Sequence, residues 1–386
     1  WIEKPYSIPS LILTTSLSYK DRLATCICQV PCILIRHFLL NSYHMESDPP
    51  FQEAYKALID QSMRENKTSK CCDSCHPHLI NNVSVECELP LIDLSQLRIG
   101  KRDQERCKEQ ICKAAKELGF FQVINHGISS KILEEMRTEQ VKAFKLPFQR
   151  KIREDKFLNL SAGSYRWGTP TATKLDQLCW SEAFHIPMID VTPTSDGAHN
   201  SLSSTIKHFA NTVADLAQIL AEILAEKIER QPTIFRENCL PKSCYLRLNR
   251  YPPCPLPQEI FGLMPHTDSD FLTIVHQDHV GGLQLVKDGK WLAVRPNQNA
   301  LIINIGDLLQ AWSNNVYKSI EHRVVANPRE ERFSTAYFFC PSNDTEIWSA
   351  SGPSIYKKFS FIEYKKQVQE DVKHLGHKIG LQRFLL

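Results

Sequence analysis

The chain has 386 residues, of which 42% are hydrophobic and 23% charged, and its formal net charge is +3. This is the composition of a globular protein with one large or two smaller domains. The small charge, without a basic stripe, argues against nucleic acid as a partner, and no apolar run reaches the roughly 18 residues of a membrane helix. We therefore expect neither nucleic-acid nor membrane binding, and nothing indicates an oligomeric state.

The 14 cysteines are spread along the chain and do not form the dense pattern of a small disulfide-stabilised domain. Several fall in segments that read as helix or strand. We expect free thiols in a reducing compartment, the cytoplasm, with the nucleus as a second location.

Residues 1–44 show no sustained helical or strand period, and the first methionine is Met45. Acidic residues are few, as in a transit peptide, but the Arg- and Ser-rich amphipathic character of such peptides is missing. We favour a non-native or disordered extension, with the protein itself starting at Met45.

Residues 45–88 read as a polar lead-in. Within it, the run from Cys71 to His78 contains the residue types that bind zinc. Structural zinc sites usually need two separated ligand pairs, whereas here all candidates are crowded into one run that includes Pro77. We interpret the run as a loop cluster without metal.

Regular structure is predicted from Leu89 onward, and residues 89–240 form a mixed, mainly helical region. Hydrophobic periodicity and turn residues predict two short strands and three helices. The strands are 89–93 and 119–124, and the helices are 101–118, 130–145 and about 201–228.

Residues 241–345 change to short β-rich runs separated by turn signals. The strongest signal is a hairpin over 282–294 with an Asp288-Gly289 turn. Further strands are predicted from Ser243 and over 271–276, 300–305, 316–325 and 332–340. This pattern favours an α+β fold with a double-stranded β-helix, or jelly-roll, core and helices packed around it, followed by a C-terminal helical segment over 346–386.

His266 and Asp268 are two residues apart in an extended segment, so their side chains share a face and reach one ion. His322, on a later predicted strand, supplies a third ligand. Two histidines and one carboxylate form the facial triad of non-haem iron(II) oxygenases, which leaves open positions for a chelating co-substrate and dioxygen. His-x-Asp alone is weak, because a surface histidine beside a turn aspartate gives the same pattern.

A second feature adds weight to this interpretation. Arg332 and Ser334 share a strand face ten residues after His322, and a guanidinium with a hydroxyl is a good carboxylate receptor. Tyr251 on an earlier strand offers another hydroxyl.

Other histidines do not fit a ligand set. His276 and His279 have opposite strand parity and lie beside a Gly-Gly turn, so we interpret them as surface residues. His126 and His185 have no partner at ligand spacing and are taken as structural.

From about Leu89 to the C-terminus, the chain resembles the plant 2-oxoglutarate-dependent dioxygenases. The motifs that carry the resemblance are Gly119-Phe-Phe-Gln-Val-Ile-Asn-His-Gly127, Asn249-Arg-Tyr-Pro-Pro-Cys254, Pro265-His-Thr-Asp268, Gly281-Gly-Leu-Gln-Leu285, Glu321-His-Arg-Val324 and Arg332-Phe-Ser334. The resemblance implies iron(II) ligation by His266, Asp268 and His322. It also implies 2-oxoglutarate binding by Arg332, Ser334 and Tyr251, use of O2, and ascorbate as a supporting reductant.

Four longer motifs narrow the resemblance within that family: Ser164-Tyr-Arg-Trp-Gly168, Trp180-Ser-Glu-Ala-Phe-His185, Cys244-Tyr-Leu-Arg-Leu-Asn-Arg-Tyr251 and Gly262-Leu-Met-Pro-His-Thr-Asp-Ser-Asp-Phe271. In these motifs the chain is similar to gibberellin 2-oxidases, especially those acting on twenty-carbon gibberellins. This resemblance implies 2β-hydroxylation of a gibberellin, which inactivates the hormone or its precursors.

The stretch 165–167 is the candidate substrate contact. Tyr165, Arg166 and Trp167 combine polar and apolar groups between two glycines, so we expect a loop that folds over the barrel mouth. Arg166 or Tyr165 would meet a substrate carboxylate and Trp167 would cover the rings. In the alternative interpretation, Trp167 only packs and Arg166 is solvated.

Two rival functions remain open. One is another small-molecule hydroxylase or desaturase of the same family, for example one acting on flavonoids, because the triad serves any C–H bond. The other is a jelly-roll binding protein without turnover, which the presence of both a triad and a co-substrate receptor disfavours.

Overall fold

The computed structural model describes residues 47–68, 85–153, 164–191, 201–349 and 352–386. The extension over 1–44 and the cluster from Cys71 to His78 lie outside the described residues. The described helices are α1 (Phe51–Ala54), α2 (Lys56–Thr68), α3 (Lys101–Glu117), α4 (Ser130–Phe144), α5 (Phe148–Lys151), α6 (Ser201–Glu226), α7 (Thr233–Asn238), α8 (Asp307–Trp312) and α9 (Phe361–Leu375).

The described strands form two main sheets and one small two-stranded sheet. They are β1 (Val85–Cys87), β2 (Leu91–Asp93), β3 (Phe120–Ile124), β4 (Tyr165–Trp167), β5 (Glu182–Pro187), β6 (Tyr245–Tyr251), β7 (Phe261–His266), β8 (Leu272–Gln277), β9 (Leu283–Lys287), β10 (Lys290–Val294), β11 (Leu301–Ile305), β12 (His322–Val325), β13 (Arg332–Phe339), β14 (Glu346–Ile347) and β15 (Phe359–Ser360).

The eight-stranded sheet has the order β2-β3-β11-β8-β13-β6-β5-β4, and the five-stranded sheet has the order β1-β10-β9-β12-β7. The eight-stranded sheet combines strands from both sides of the predicted boundary at residue 241. Its mostly antiparallel pairing and its mixed connectivity confirm the predicted jelly-roll core with surrounding helices.

Cross-strand partners project from the same face of a sheet, so the side chains of the eight-stranded sheet divide into an outer and an inner face. On the outer face, Phe333 and Tyr337 of β13 and Leu248 of β6 belong to one buried cluster with residues of α3, α4 and α6. On the inner face, Phe120 and Ile302 pack against the five-stranded sheet. Arg332, Ser334 and Tyr251, discussed below, project from this inner face, whereas His266 and His322 come from the five-stranded sheet.

The hairpin of β9 and β10 follows the sequence prediction closely. Asp288 and Gly289 both have positive φ, 51° and 72°, as a two-residue type I′ turn requires. The three predicted helices are also confirmed, with ends that differ by one or two residues from the predicted ones.

The predicted strand over 316–325 is wrong in its first half, since β12 begins only at His322. Two residues of the preceding segment bond to helices: Lys318 N donates to Ala115 O, and the Tyr317 hydroxyl donates to Leu224 O at 2.7 Å. A side chain at Gly119 would collide with Lys318 O, so this close approach requires glycine.

The expectation that regular structure begins only at Leu89 is also wrong, since α1, α2 and β1 precede it. Helices α1 and α2 dock through Phe51, Tyr55 and Ile59, which are buried and lie at helical spacing. The Phe51 ring stacks on Trp180 with a centroid distance of 4.5 Å. An amphipathic pattern was therefore present, but the polar average of the segment obscured it.

Within the described residues, no helix is both long enough and apolar enough to span a membrane. The eight cysteines in the described part of the chain are all free thiols, and seven of them are buried. The expectation of unpaired thiols is confirmed for these eight.

Candidate active site

Two imidazoles and a carboxylate meet where the two sheets face each other. His266 at the end of β7 is paired directly with His322 at the start of β12, and their ring centroids are 4.3 Å apart. Asp268 lies just past the end of β7, with its Oδ1 atom 3.6 Å from His266 Nε2 and 3.7 Å from His322 Nε2. The structure thus brings together the three predicted ligands.

The donor set fits one metal ion. Two ligands each roughly 2.1 Å from an ion are at most about 4.2 Å apart, and both measured separations fall below that limit. Each histidine Nδ1 lies within hydrogen-bond distance of a backbone carbonyl, that of Met264 at 2.8 Å and that of Ile320 at 3.0 Å. An Nδ1–H donating to those carbonyls leaves each Nε2 with a free lone pair toward Asp268.

The titration behaviour of two of these groups matches metal binding. Burial and the neighbouring His322 lower the pKa of His266 to about 3, which keeps its imidazole neutral. Burial raises the pKa of Asp268, but His322, His266 and Thr273 together outweigh that effect and hold the pKa below its usual value. Both groups are therefore in the protonation state that coordinates a cation.

The Asp268 carboxylate is fixed by two side chains that the sequence reasoning missed. Thr273 Oγ1 and Asn304 Nδ2 both donate to its Oδ2 atom at 2.5 Å. Thr273 and Asn304 are cross-strand partners on β8 and β11. The usable signal was Asn304 itself, a single polar residue in the apolar run Leu-Ile-Ile-Asn-Ile.

The predicted carboxylate receptor lies on the same inner face. Arg332 is 3% exposed, and among the described residues its guanidinium donates only to Gln277 Oε1 at 2.9 Å and weakly to Ser334 Oγ at 3.4 Å. Its Nε atom and Gln277 Nε2 are buried without any partner in the described part of the chain. A buried cation with unsatisfied donors around it is a site for an anion that supplies the missing acceptors.

Ser334 and Tyr251 complete this receptor. Asn249 Nδ2 donates to Ser334 Oγ at 3.3 Å, so the serine hydroxyl accepts from the protein and keeps its own proton for a ligand. Tyr251 is paired with Arg332 across β6 and β13, and it is 3% exposed. The three predicted receptor residues are thus neighbours on one face.

Comparison with known proteins agrees with this geometry. Residues 242–341 match the family model of the 2OG-Fe(II) oxygenase superfamily. Residues 89–209 match a second family model, which is described as "non-haem dioxygenase in morphine synthesis N-terminal". The chain is 56% identical over 339 residues to gibberellin 2-beta-dioxygenase 8 of Arabidopsis thaliana, which covers 88% of this chain and 98% of that relative. The chain belongs to the 2OG-Fe(II) oxygenase superfamily.

Other relatives of this oxygenase are more distant. Flavanone 3-dioxygenase 2 of Oryza sativa subsp. japonica is 32% identical, over 76% of this chain and 87% of that relative. The structure of JOX2 in complex with 2OG, Fe and JA aligns with a TM-score of 0.61 and 27% identity, over 78% of this chain and 91% of that chain. The cofactors of the oxygenase are iron(II) and 2-oxoglutarate. The His-Asp-His group described above has side chains of the types that bind iron.

The expected substrate loop of the oxygenase is a strand: residues 165–167 form β4 at the edge of the eight-stranded sheet, paired with β5. Backbone pairing fixes its side chains, so a loop that folds over the barrel mouth is excluded for these residues. Arg166 is in the same cross-strand row as Ala183, Asn249 and Ser334, and therefore faces inward.

Tyr165 and Trp167 have the opposite parity and face outward. The Tyr165 hydroxyl donates to Glu182, a buried carboxylate that also pairs with Lys151. Trp167 packs edge-on against Phe51, with a centroid distance of 5.5 Å. Both side chains are used within the protein, on the side of the sheet away from the metal ligands.

Two inward residues near Arg166 were not predicted as substrate contacts. Arg247 on β6 is paired with His185 on β5, and both are half-buried. Burial and the charges of Arg247 and Arg166 lower the pKa of His185 to about 3, so the two arginines flank a neutral imidazole. His185 therefore lies on the inner face, where its ring packs against that of Tyr245 with a centroid distance of 4.4 Å. His276 is not the surface residue that we expected, since it is half-buried in the outward row opposite Thr335. His279 is exposed, as expected.

Proposed function

We propose that this oxygenase hydroxylates gibberellins at carbon 2 in the β configuration. The observation that carries the proposal is the joint presence of the His-Asp-His cluster and a buried guanidinium with unsatisfied donors, in a chain 56% identical to a gibberellin 2-beta-dioxygenase. Iron(II) is the metal cofactor, 2-oxoglutarate and dioxygen are the co-substrates, and ascorbate supports turnover by keeping the metal reduced.

In this proposal His266, Asp268 and His322 bind the iron. When bound, iron and 2-oxoglutarate together supply the oxidising power for attack on an unactivated C–H bond. The chain positions them: Thr273 and Asn304 orient the Asp268 carboxylate, and the two backbone carbonyls orient the imidazoles.

Arg332 and Ser334 hold the carboxylate of 2-oxoglutarate that is remote from the metal, and Tyr251 adds a hydroxyl. A bidentate guanidinium–carboxylate contact would satisfy the Arg332 Nε that has no partner among the described residues. The low exposure of Arg332, 3%, means that this ion pair forms away from water and is correspondingly strong.

For the substrate we propose that Arg166 and Arg247 meet a gibberellin carboxylate on the inner face. Adjacent strands are about 4.8 Å apart, so Arg166, three strands from Ser334, is roughly 14 Å from it along the sheet. Tyr245 and Phe338, stacked with a centroid distance of 4.3 Å on β6 and β13, give an apolar surface on the same face. Trp167 and Tyr165 support β4 from behind.

The main alternative is a hydroxylase or desaturase of the same superfamily that acts on a flavonoid. A flavonoid lacks a carboxylate, so inward guanidinium groups at positions 166 and 247 favour the gibberellin. A binding protein without turnover is disfavoured by the coexistence of the metal cluster and the co-substrate receptor. We further propose a cytoplasmic location, which the free thiols support.

The test is incubation of the purified protein with iron(II), ascorbate, 2-oxoglutarate and a panel of twenty- and nineteen-carbon gibberellins, with a flavanone in parallel. We expect succinate release that depends on a gibberellin, and a 2β-hydroxylated product identified by mass spectrometry against standards. Turnover of the flavanone without turnover of any gibberellin would replace the substrate and retain the oxygenase chemistry.

A further inference from the structure

Lys378, in the segment after the last long helix, contacts the loop of residues 267–269 that contains the proposed metal ligand Asp268. Helix α9 ends at Leu375, and the left-handed conformation of Gly376 after it, φ 78° and ψ −4°, reverses the chain direction. Two residues later the Lys378 side chain turns inward and is only 10% exposed.

The Lys378 ammonium has three N–H donors, and three oxygen acceptors in or beside the loop around Asp268 surround it. The Nζ atom donates to the backbone carbonyl of Thr267 at 2.9 Å and to the Ser269 hydroxyl at 2.8 Å. Its third partner is the Asp307 carboxylate, 2.6 Å away. Lys378 therefore contacts the residues on both sides of the proposed iron ligand.

Asp307 links the same loop to the rest of the fold. Its carboxylate accepts from the Thr267 hydroxyl at 2.9 Å and from the Tyr364 hydroxyl of α9. Its backbone N–H donates to the carbonyl of Asp268 at 2.9 Å. The backbone of residues 267–269 is thus held by the start of α8 on one side and by the C-terminal segment on the other.

We propose that Lys378 is a positioning residue of the iron site, which sets the backbone of the 267–269 loop so that Asp268 presents Oδ1 toward the two histidines. This inference rests on the proposed iron ligation by Asp268. Lys378 touches neither metal nor substrate, and its effect is transmitted through the loop. Partners that orient a ligand in this way typically change metal affinity about 10- to 100-fold when removed.

The experiment replaces Lys378 by methionine in the full chain and measures iron(II) affinity by equilibrium titration. The charge-transfer absorption of the iron(II)–2-oxoglutarate complex provides a second readout that does not depend on turnover. We expect the iron dissociation constant of Lys378→Met to rise about 10- to 100-fold, with the KM for 2-oxoglutarate at saturating iron changed less than about threefold. The matched control is Lys373→Met, an exposed lysine of α9, which should bind iron as the wild type does.

Lys378→Met also leaves the buried Asp307 carboxylate without its cation, which can cost enough stability to prevent folding. The double variant Lys378→Met/Asp307→Asn removes that charge and keeps an acceptor for Thr267 and Tyr364. We expect it to fold, to retain a cooperative thermal transition without metal, and still to bind iron weakly. Wild-type iron affinity in the double variant, with only a lowered Tm, would overturn the inference. A wild-type protein that binds no iron would instead overturn the proposed iron site itself.

Discussion

Arg332 and Tyr251 face each other across β13 and β6, with the guanidinium carbon of Arg332 5.0 Å from the centre of the tyrosine ring. The ring covers one face of a cation that has no carboxylate partner among the described residues. Such a contact contributes about 0.5–2 kcal/mol and orients the guanidinium plane. The proposed receptor for 2-oxoglutarate is therefore largely formed without the co-substrate.

Replacing Arg332 by alanine should chiefly weaken the use of 2-oxoglutarate. Removing one partner of a buried charge pair costs about 2–5 kcal/mol, or roughly 30-fold to several thousand-fold in affinity. The measurement is the KM for 2-oxoglutarate in a succinate-release assay, with the exposed Arg329→Ala as control. An unchanged KM for 2-oxoglutarate with a raised KM for gibberellin would assign Arg332 to the other ligand.

His266→Ala, Asp268→Ala and His322→Ala should each abolish turnover and iron binding, because only two protein ligands remain in each variant. The fold should be retained, as judged by circular dichroism and the Tm of the metal-free protein. His279→Ala is the matched control, since that imidazole is 69% exposed and lies away from the cluster. Near wild-type succinate release by any of the three variants would remove that residue from the ligand set.

Arg166→Ala and Arg247→Ala should raise the KM for a twenty-carbon gibberellin and leave that for 2-oxoglutarate nearly unchanged. A hydrogen bond to a charged group contributes about 1.5–3 kcal/mol, so each KM should rise roughly 10- to 150-fold. The exposed Arg150→Ala controls for the loss of one positive charge. If both variants keep the wild-type KM, the carboxylate is bound elsewhere.

Trp167→Ala should act on stability rather than on substrate binding, because its ring packs against Phe51, Tyr55 and Phe148 on the outer side of β4. Truncation of a fully buried tryptophan costs about 3–5 kcal/mol, and for this half-buried one we expect about 2 kcal/mol. Chemical denaturation measures the free energy of unfolding, and steady-state assays measure the gibberellin KM. A large rise of that KM at unchanged stability would support the alternative that Trp167 covers the substrate.

The His-Asp-His group could be predicted from the sequence because its elements are local patterns: a His-x-Asp pair and a histidine in a β-rich run. The pairing of His322 with His266 could not, since it depends on β12 lying beside β7, which no local pattern specifies. The same limit applies to Lys378, which contacts a carbonyl 111 residues away along the chain. Contacts of that kind arise from tertiary packing of the C-terminal segment.

Local sequence patterns also gave wrong predictions for two segments whose residues were compatible with more than one secondary structure. Tyr165 to Trp167, between Gly163 and Gly168, looked like a loop, but pairing with β5 makes it an edge strand. Apolar residues between Val316 and Val325 suggested one long strand, yet the first part bonds to α3 and α6. In both places the observed structure depends on hydrogen bonds to residues that are distant in the sequence.

Successive side chains of β13 project from opposite faces of the sheet, so neighbouring positions of this strand need different residue types. Arg332 and Ser334 face the proposed 2-oxoglutarate site, while Phe333 and Thr335 face the helices. Deleting or inserting one residue in this strand would exchange the two sets, moving a guanidinium into the apolar helix interface and an aromatic ring beside the metal ligands. Among the described strands, β4 is the last of its sheet, so changes there leave the proposed co-substrate receptor in register. Attempts to retarget this oxygenase to other acids should therefore start at position 166 and leave the length of β13 untouched.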